Sequence, residues 1–242
     1  MQSLLKKQNC AILLLAVAVS GSSSLGCRSG VQKGIDNNVS QLVRQLDPKG
    51  EIVSQQPDPD KEAQICIETA IAVSKAGHLR EAIRLYEKAY SLSPNDADIL
   101  RQVAPLYAQS GDLEQAISAY QKLVETEKSS PDLLNNYAWT LMEAGSLKTA
   151  KDLVSGGLAS FPKSEKLMTT SAVISYKQGN RAAAFELFSK ALGEQAAHHN
   201  LAVLDIDSKN EVAAKSHIDK ALQLRPNSLT RQLANAMDEV VE

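Results

Sequence analysis

This sequence predicts an all-α fold: a right-handed α-solenoid of about five stacked helical hairpins, followed by a C-terminal capping helix. Three observations carry that expectation. Glycine recurs at 77, 111, 145 and 179, each 34 residues after the last. Two columns of alanine hold the same register: Ala70, Ala104, Ala138 and Ala172, then Ala82, Ala116, Ala150 and Ala184. Hydrophobic residues make up 43% of the 242-residue chain and aromatics only 4%. That composition suits many closely spaced helices better than one large core.

The first element is a leader, residues 1–26, set aside before any fold reasoning. Lys6 and Lys7 give a cationic start, and Cys10 to Val19 ("CAILLLAVAV") is an unbroken apolar run. The run is about half the length of a membrane-spanning helix, which needs roughly 20 residues. Small polar residues, "SGSSSLG", lead to Cys27. "SSLGC" resembles a bacterial lipobox, whose Cys becomes the lipidated first residue of the mature chain. Leu25 and Gly26 fit that motif and Ser24 departs from it. Ordinary signal cleavage nearby, with Cys27 incidental, is the alternative. Cys10 would leave with the leader and Cys27 would carry lipid. Only Cys66 would remain, on an apolar helical face, so the exported chain needs no disulfide.

Residues 27–62 form a tether. It is polar and punctuated by Gly and Pro, and Ile35, Val39, Leu42 and Leu46 mark a short amphipathic helix within it. The array spans 63–226, in units 63–96, 97–130, 131–164, 165–194 and 195–226. In each of the first four units the recurring glycine allows a left-handed turn where the first helix stops. The alanines let paired helices approach closely. Tyr86, Tyr120, Val154 and Phe188 fill the space between units, and Pro94, Pro162 and Pro226 end second helices. The fifth unit is shorter by four residues, with Ala202, Ala214, Ile218 and Ala221. Gly193 makes the turn into it, and Lys209 and Asn210 stand where its own turn glycine would be. Asn is the better suited of that pair to a left-handed backbone. Pro105 falls inside a first helix and is expected to bend or shorten it. Residues 227–242, with Leu229, Leu233, Met237 and Val240 at helical spacing, form the capping helix that covers the last apolar face.

The columns resemble the tetratricopeptide repeat, a 34-residue unit of two antiparallel helices. The resemblance covers roughly 63–226 and implies a binding surface built from the first helices. Threaded onto it, Ile67, Ile71, Arg101, Gln102, Asn135, Asn136, Trp139, Tyr176, Lys177, His199 and Asn200 line the groove. Trp139, the single Trp of the chain, is either a partner anchor or a spacer between neighbouring first helices. The carboxylate clamp of chaperone-binding relatives is not matched, and Asp98, Asp132 and Glu143 would repel a carboxylate.

Chemistry finds little support. His198 and His199 are adjacent, about 100° apart on a helix, and lack the spacing of a zinc pair. His198 is expected to face the core and His199 the groove. "DIDSKN" (205–210) lacks the Gly and closing Glu of a calcium loop and reads as a helix end and turn. "SGGLAS" (155–160) lies in a second helix, where close helix contact explains the glycines better than phosphate binding. No catalytic residue, metal or cofactor is expected. The chain carries 26 basic and 28 acidic residues. Losing residues 1–26 removes two basic residues and no acid, leaving 24 against 28, a net charge of −4. Neither balance gives a nucleic-acid footprint.

The expected partner is therefore a protein or peptide, with the membrane reached through lipid on Cys27. "NNYAWTLMEAG" and "AHHNLAVL" are similar to stretches in bacterial lipoproteins of this repeat type that serve Tad pilus assembly and related secretion systems. That resemblance implies a cell-envelope scaffold. Arg28 after the lipidated Cys, in place of Asp, implies the outer membrane facing the periplasm. A soluble periplasmic chaperone or regulator without an anchor is the alternative.

Overall fold

The computed structural model describes residues 58–94, 96–126 and 129–241. The leader, Cys27, Arg28 after it and the amphipathic stretch at 35–46 lie outside the described residues. Eleven helices are described: α1 Pro59–Lys75, α2 Leu79–Leu92, α3 Ala97–Ser110, α4 Leu113–Thr126, α5 Pro131–Glu143, α6 Leu147–Ser160, α7 Glu165–Lys177, α8 Arg181–Leu192, α9 Glu194–Asp207, α10 Glu211–Leu224 and α11 Ser228–Val241. No strand occurs among the described residues. Each helix packs on the next in the chain, and α5 also packs on α7 across one hairpin. This is the predicted solenoid of hairpins.

Local chemistry sets the ends. Side chains of Asp58, Asp96, Ser130 and Ser164 accept hydrogen bonds from the first-turn backbone N–H groups of α1, α3, α5 and α7. These groups would otherwise lack partners. α1 starts at Pro59, about one turn before Ala63, because Asp58 and Pro59 form a ready cap. At the other ends Gly77, Gly111, Gly145 and Gly179 take φ between +77° and +88°. The N–H of the following residue bonds the carbonyl five positions back, as in Asp112 to Tyr107 at 2.9 Å and Ser146 to Leu141 at 2.8 Å. This closure satisfies the last carbonyls of each first helix.

The fifth turn keeps that closure without glycine: Asn210 N–H bonds Asp205 O at 2.8 Å. Here Lys209, not Asn210, takes the left-handed conformation, at φ +60°. Asn210 instead caps α10, its side chain accepting from Ala213 N at 3.2 Å. An amide side chain is worth more as a cap than as a left-handed residue, which explains the exchange of roles. Gly193 (φ +88°, ψ +161°) ends α8 and starts α9, so one residue replaces the usual spacer.

The alanine columns sit at the closest approaches. Ala70, Ala82, Ala104, Ala116, Ala138, Ala150, Ala172, Ala184, Ala202 and Ala214 are all fully buried. Tyr86, Tyr120, Val154 and Phe188 are buried between hairpins, and Tyr120 stacks on Tyr137 of α5 at 5.8 Å. Burial pushes the Tyr120 hydroxyl up to about 12. One hydrophobic cluster runs from Cys66 to Ile174, and a second from Ala172 to Leu204. Pro105 is accommodated within α3 without ending it. It is exposed, so water can reach the backbone where its missing N–H interrupts the helical ladder. Cys66 is free and buried.

The capping helix differs in detail from expectation. Leu229 stands exposed and Thr230 is fully buried, with Leu233 and Met237 half-buried. Its first turn is capped by Asn227, whose side chain accepts from Thr230 N at 2.7 Å. No helix among the described residues is long and apolar enough to cross a membrane.

Candidate partner-binding face

The first helices carry every residue expected in the groove, but they do not present them equally. On α3, Arg101 pairs with Asp98 one turn earlier, and Gln102 is exposed. On α5, Asn136 is exposed and Trp139 is half-buried, packed with Met142 against the second hydrophobic cluster. Trp139 thus spaces α5 from α7 and still leaves part of its ring to solvent.

Two polar ties lash α5 to α7. Lys166 pairs with Asp132, and the Thr170 hydroxyl donates to Asn135 Oδ1 at 2.6 Å. The residues of these ties are 34 and 35 positions apart, so the first joins equivalent places in successive hairpins and the second joins places one residue out of step. Asp98 and Asp132 therefore act in neutral pairs, and the repulsion of a carboxylate expected from them is largely cancelled. Glu143 remains exposed.

Beyond α7 the side chains turn away from the row. The Tyr176 hydroxyl donates to Asp205 Oδ1 at 2.7 Å and lies 2.7 Å from Ser208 Oγ. Arg181 stacks over the Tyr176 ring at 5.0 Å and reaches Asp205 Oδ1 at 2.5 Å. Lys177 is exposed beside them. A recess of about 350 Å³ opens here, lined by Tyr176, Lys177, Arg181, Leu204 and Ser208 among others. Its cations are balanced by Asp205 and Asp207, so it holds no net charge for a ligand.

His199, expected in the groove, is half-buried and its Nδ1 lies 3.0 Å from Thr230 Oγ1 of α11. The capping helix draws it off the row. Asn200 donates to Ala196 O of its own helix at 2.9 Å. His198 is buried, as its register implied, and its Nδ1 sits 2.8 Å from His217 Nδ1 of α10. Burial lowers the proton affinity of His198, His199 and His217 below the ordinary histidine value. No group of three metal-ligating side chains occurs among the described residues.

The structure thus brings Asn135, Asn136 and Trp139 together beside α7, and separates them from Arg101 on one side and His199 on the other. Sequence reasoning missed Thr170, Arg181, Asp205, His217 and Thr230. One signal was available: Asp205 falls in the buried register of α9, with Ala197, His198, Leu201, Ala202 and Leu204. An acid in that register must have buried partners.

The family model described as tetratricopeptide repeat matches residues 74–127 and again 107–168. Among solved structures, MamA 41-end from Desulfovibrio magneticus RS-1 is similar at 17% identity and a TM-score of 0.56, over 69% of this chain and 97% of that one. YrrB, described as a TPR protein with an unusual peptide-binding site, is similar at 19% identity and a TM-score of 0.53, over 73% of this chain and 94% of that one. Pseudomonas aeruginosa pilF is similar at 19% identity and a TM-score of 0.52, over 76% of this chain and 86% of that one. No curated protein matches the chain. These likenesses establish the solenoid fold.

Proposed function

We propose that this chain is a non-enzymatic scaffold that holds an extended segment of a partner protein along its first helices, centred on α5 and α7. Asn136 and the open edge of Trp139 carry the proposal. Asn136 is exposed, with its Oδ1 accepting from Asn135 Nδ2 at 3.4 Å and its Nδ2 bonded to no side-chain acceptor among the described residues, and Trp139 leaves part of its ring to solvent. Amides can bond a peptide backbone, and a large half-open aromatic ring supplies contact energy at an interface. The description of YrrB as peptide-binding lends support by likeness of fold. Arg101, Gln102, Lys177 and Asn200 extend the contact to either side.

The same reading fixes the chain to the outer membrane by lipid on Cys27, facing the periplasm, and assigns it to the assembly of a pilus or secretion machine. The charged start, apolar run and Cys of the leader support the anchor. The experiment is crosslinking in cells followed by affinity capture, with wild type and Trp139→Ala side by side. Capture of a partner should fall at least about tenfold with Trp139→Ala while helicity is kept, consistent with an interface hot spot. Equal capture would remove Trp139 from the site. The mass of the N-terminal peptide tests the anchor. A diacylglyceryl group on Cys27 supports it, and an unmodified terminus near that position means a soluble periplasmic chaperone or regulator.

A further inference from the structure

We propose that α9–α11 forms an acid-loosened end of the array, whose three helices are held to one another in part by a seam of three histidines. The chain has four histidines, and His198, His199 and His217 all lie in this seam. α9 packs on α7 and α8 through Ala197, Leu201 and Leu204, and α10 buries Ala214, Ile218 and Ala221, but neither hydrophobic cluster includes a side chain of α10 or α11 among the described residues. The α9–α10 contact also includes the two ring nitrogens of His198 and His217, 2.8 Å apart. The α9–α11 contact is made in part by His199 and Gln195, whose Nδ1 and Nε2 lie 3.0 and 3.4 Å from the buried Thr230 hydroxyl.

A hydrogen bond between two imidazole nitrogens needs a proton on one and a lone pair on the other. His217 Nε2 faces Asp205 Oδ2 at 3.8 Å, and that oxygen is buried with no hydrogen-bond partner among the described residues. The arrangement assigns the neutral His217 proton to Nε2, toward the carboxylate, and makes its Nδ1 the acceptor for His198 Nδ1–H. One added proton can be shared, with His217 donating from both nitrogens. A second makes both facing nitrogens donors, and the pair must separate.

The surrounding charges oppose protonation overall. His198 faces Phe185 of α8 at 4.8 Å, Glu194 of its own helix and Lys220 of α10. His217 faces His198 and Asp205 of α9, Arg181 of α8 and Lys220 of its own helix. Asp205 attracts the proton, but its charge is already shared with Arg181 and Tyr176. Burial is the largest influence on all three rings and lowers each. The open chain therefore binds protons more tightly than the closed one. Closure is fully favoured above the ordinary histidine value of about 6.5 and is lost as pH falls through the lowered values.

Amide hydrogen exchange of the full chain at pH 7.5 and 5.0, corrected for the chemical rate, tests this. Glu194–Val241 should lose about tenfold or more of its protection at pH 5.0 relative to α4–α6. Each histidine can contribute at most about thirtyfold at that pH, given an open-chain value near 6.5. A uniform loss across the array, or none, overturns the proposal. The double variant His198→Leu, His217→Leu should largely abolish the pH response; a response of wild-type size overturns it. If that variant fails to fold, wild-type histidine ring resonances decide: both members of the pair must titrate below the open-chain value, and a ring titrating at or above it refutes the seam.

Discussion

The two adjacent glycines of α6 should respond oppositely to one added methyl group. Gly156 is exposed, and a Cβ built on it meets nothing within 4 Å. Gly157 is buried, and its Cβ would lie 2.9 Å from Leu134 Cδ1 of α5 and 3.0 Å from Leu167 Cδ1 of α7. Both leucines are themselves buried, at 5% and 0% exposure, so neither has free space to retreat into. In a helix Gly is about 1 kcal/mol worse than Ala. Gly156→Ala should therefore stabilise by about 1 kcal/mol, or roughly 2–4 °C in Tm for a domain of this size. Gly157→Ala gains the same propensity and adds an overpacking cost of about 1–3 kcal/mol. Its net effect should range from neutral to a loss of about 2 kcal/mol. Urea unfolding followed by far-ultraviolet circular dichroism reads both, with the slope checked for constancy because hairpins of an array can unfold in stages. If Gly157→Ala stabilises as much as Gly156→Ala, close helix approach is not the reason for glycine at 157.

Lys209→Gly should stabilise the array by about 0.5–1 kcal/mol. Glycine relieves the left-handed penalty of roughly 1–2 kcal/mol but brings extra chain entropy; thermal unfolding reads the gain, and a loss would mean that the Lys209 side chain matters more than its backbone. Arg181→Met should cost about 3 kcal/mol, because it leaves the fully buried Asp205 without its cation. Denaturant titration would refute that if the loss stayed below about 1 kcal/mol.

The hairpin register was legible because glycine and alanine have narrow physical roles. Only a residue without Cβ turns left at no cost, and only a very small one fits where helix axes approach most closely, so both recur at a fixed period. The first-helix row was legible only in part. Its side chains were placed on the correct helices, but their partners come from other hairpins. Nothing local to Asn135 says that Thr170, 35 residues on, will donate to it. The exposed Leu229 shows the same gap from the other side. Helical spacing put it on the buried face of α11, yet the true contact is polar, so Thr230 takes the buried place. The exchange of roles between Lys209 and Asn210 was hidden because one asparagine could serve as turn or cap, and the cap is worth more.

Polar ties and alanine columns divide the work of the first helices. The alanines fix the spacing of a hairpin at positions with no exposure, where any side-chain variation would force helices apart. The ties between α5 and α7 then fix their sliding, since a hydrogen bond tolerates less displacement than an apolar contact. A face held in this way has low freedom left to lose on binding, and pre-organisation of that kind raises affinity without adding contacts. In α9 the buried His198 instead faces His217 of α10 at 2.8 Å, a contact whose hold depends on protons. The array therefore has a middle whose geometry is insensitive to pH and an end whose geometry is not. A partner seated on α5 and α7 alone should bind alike at pH 7.5 and 5.0, whereas one that also needs Asn200 should release in acid.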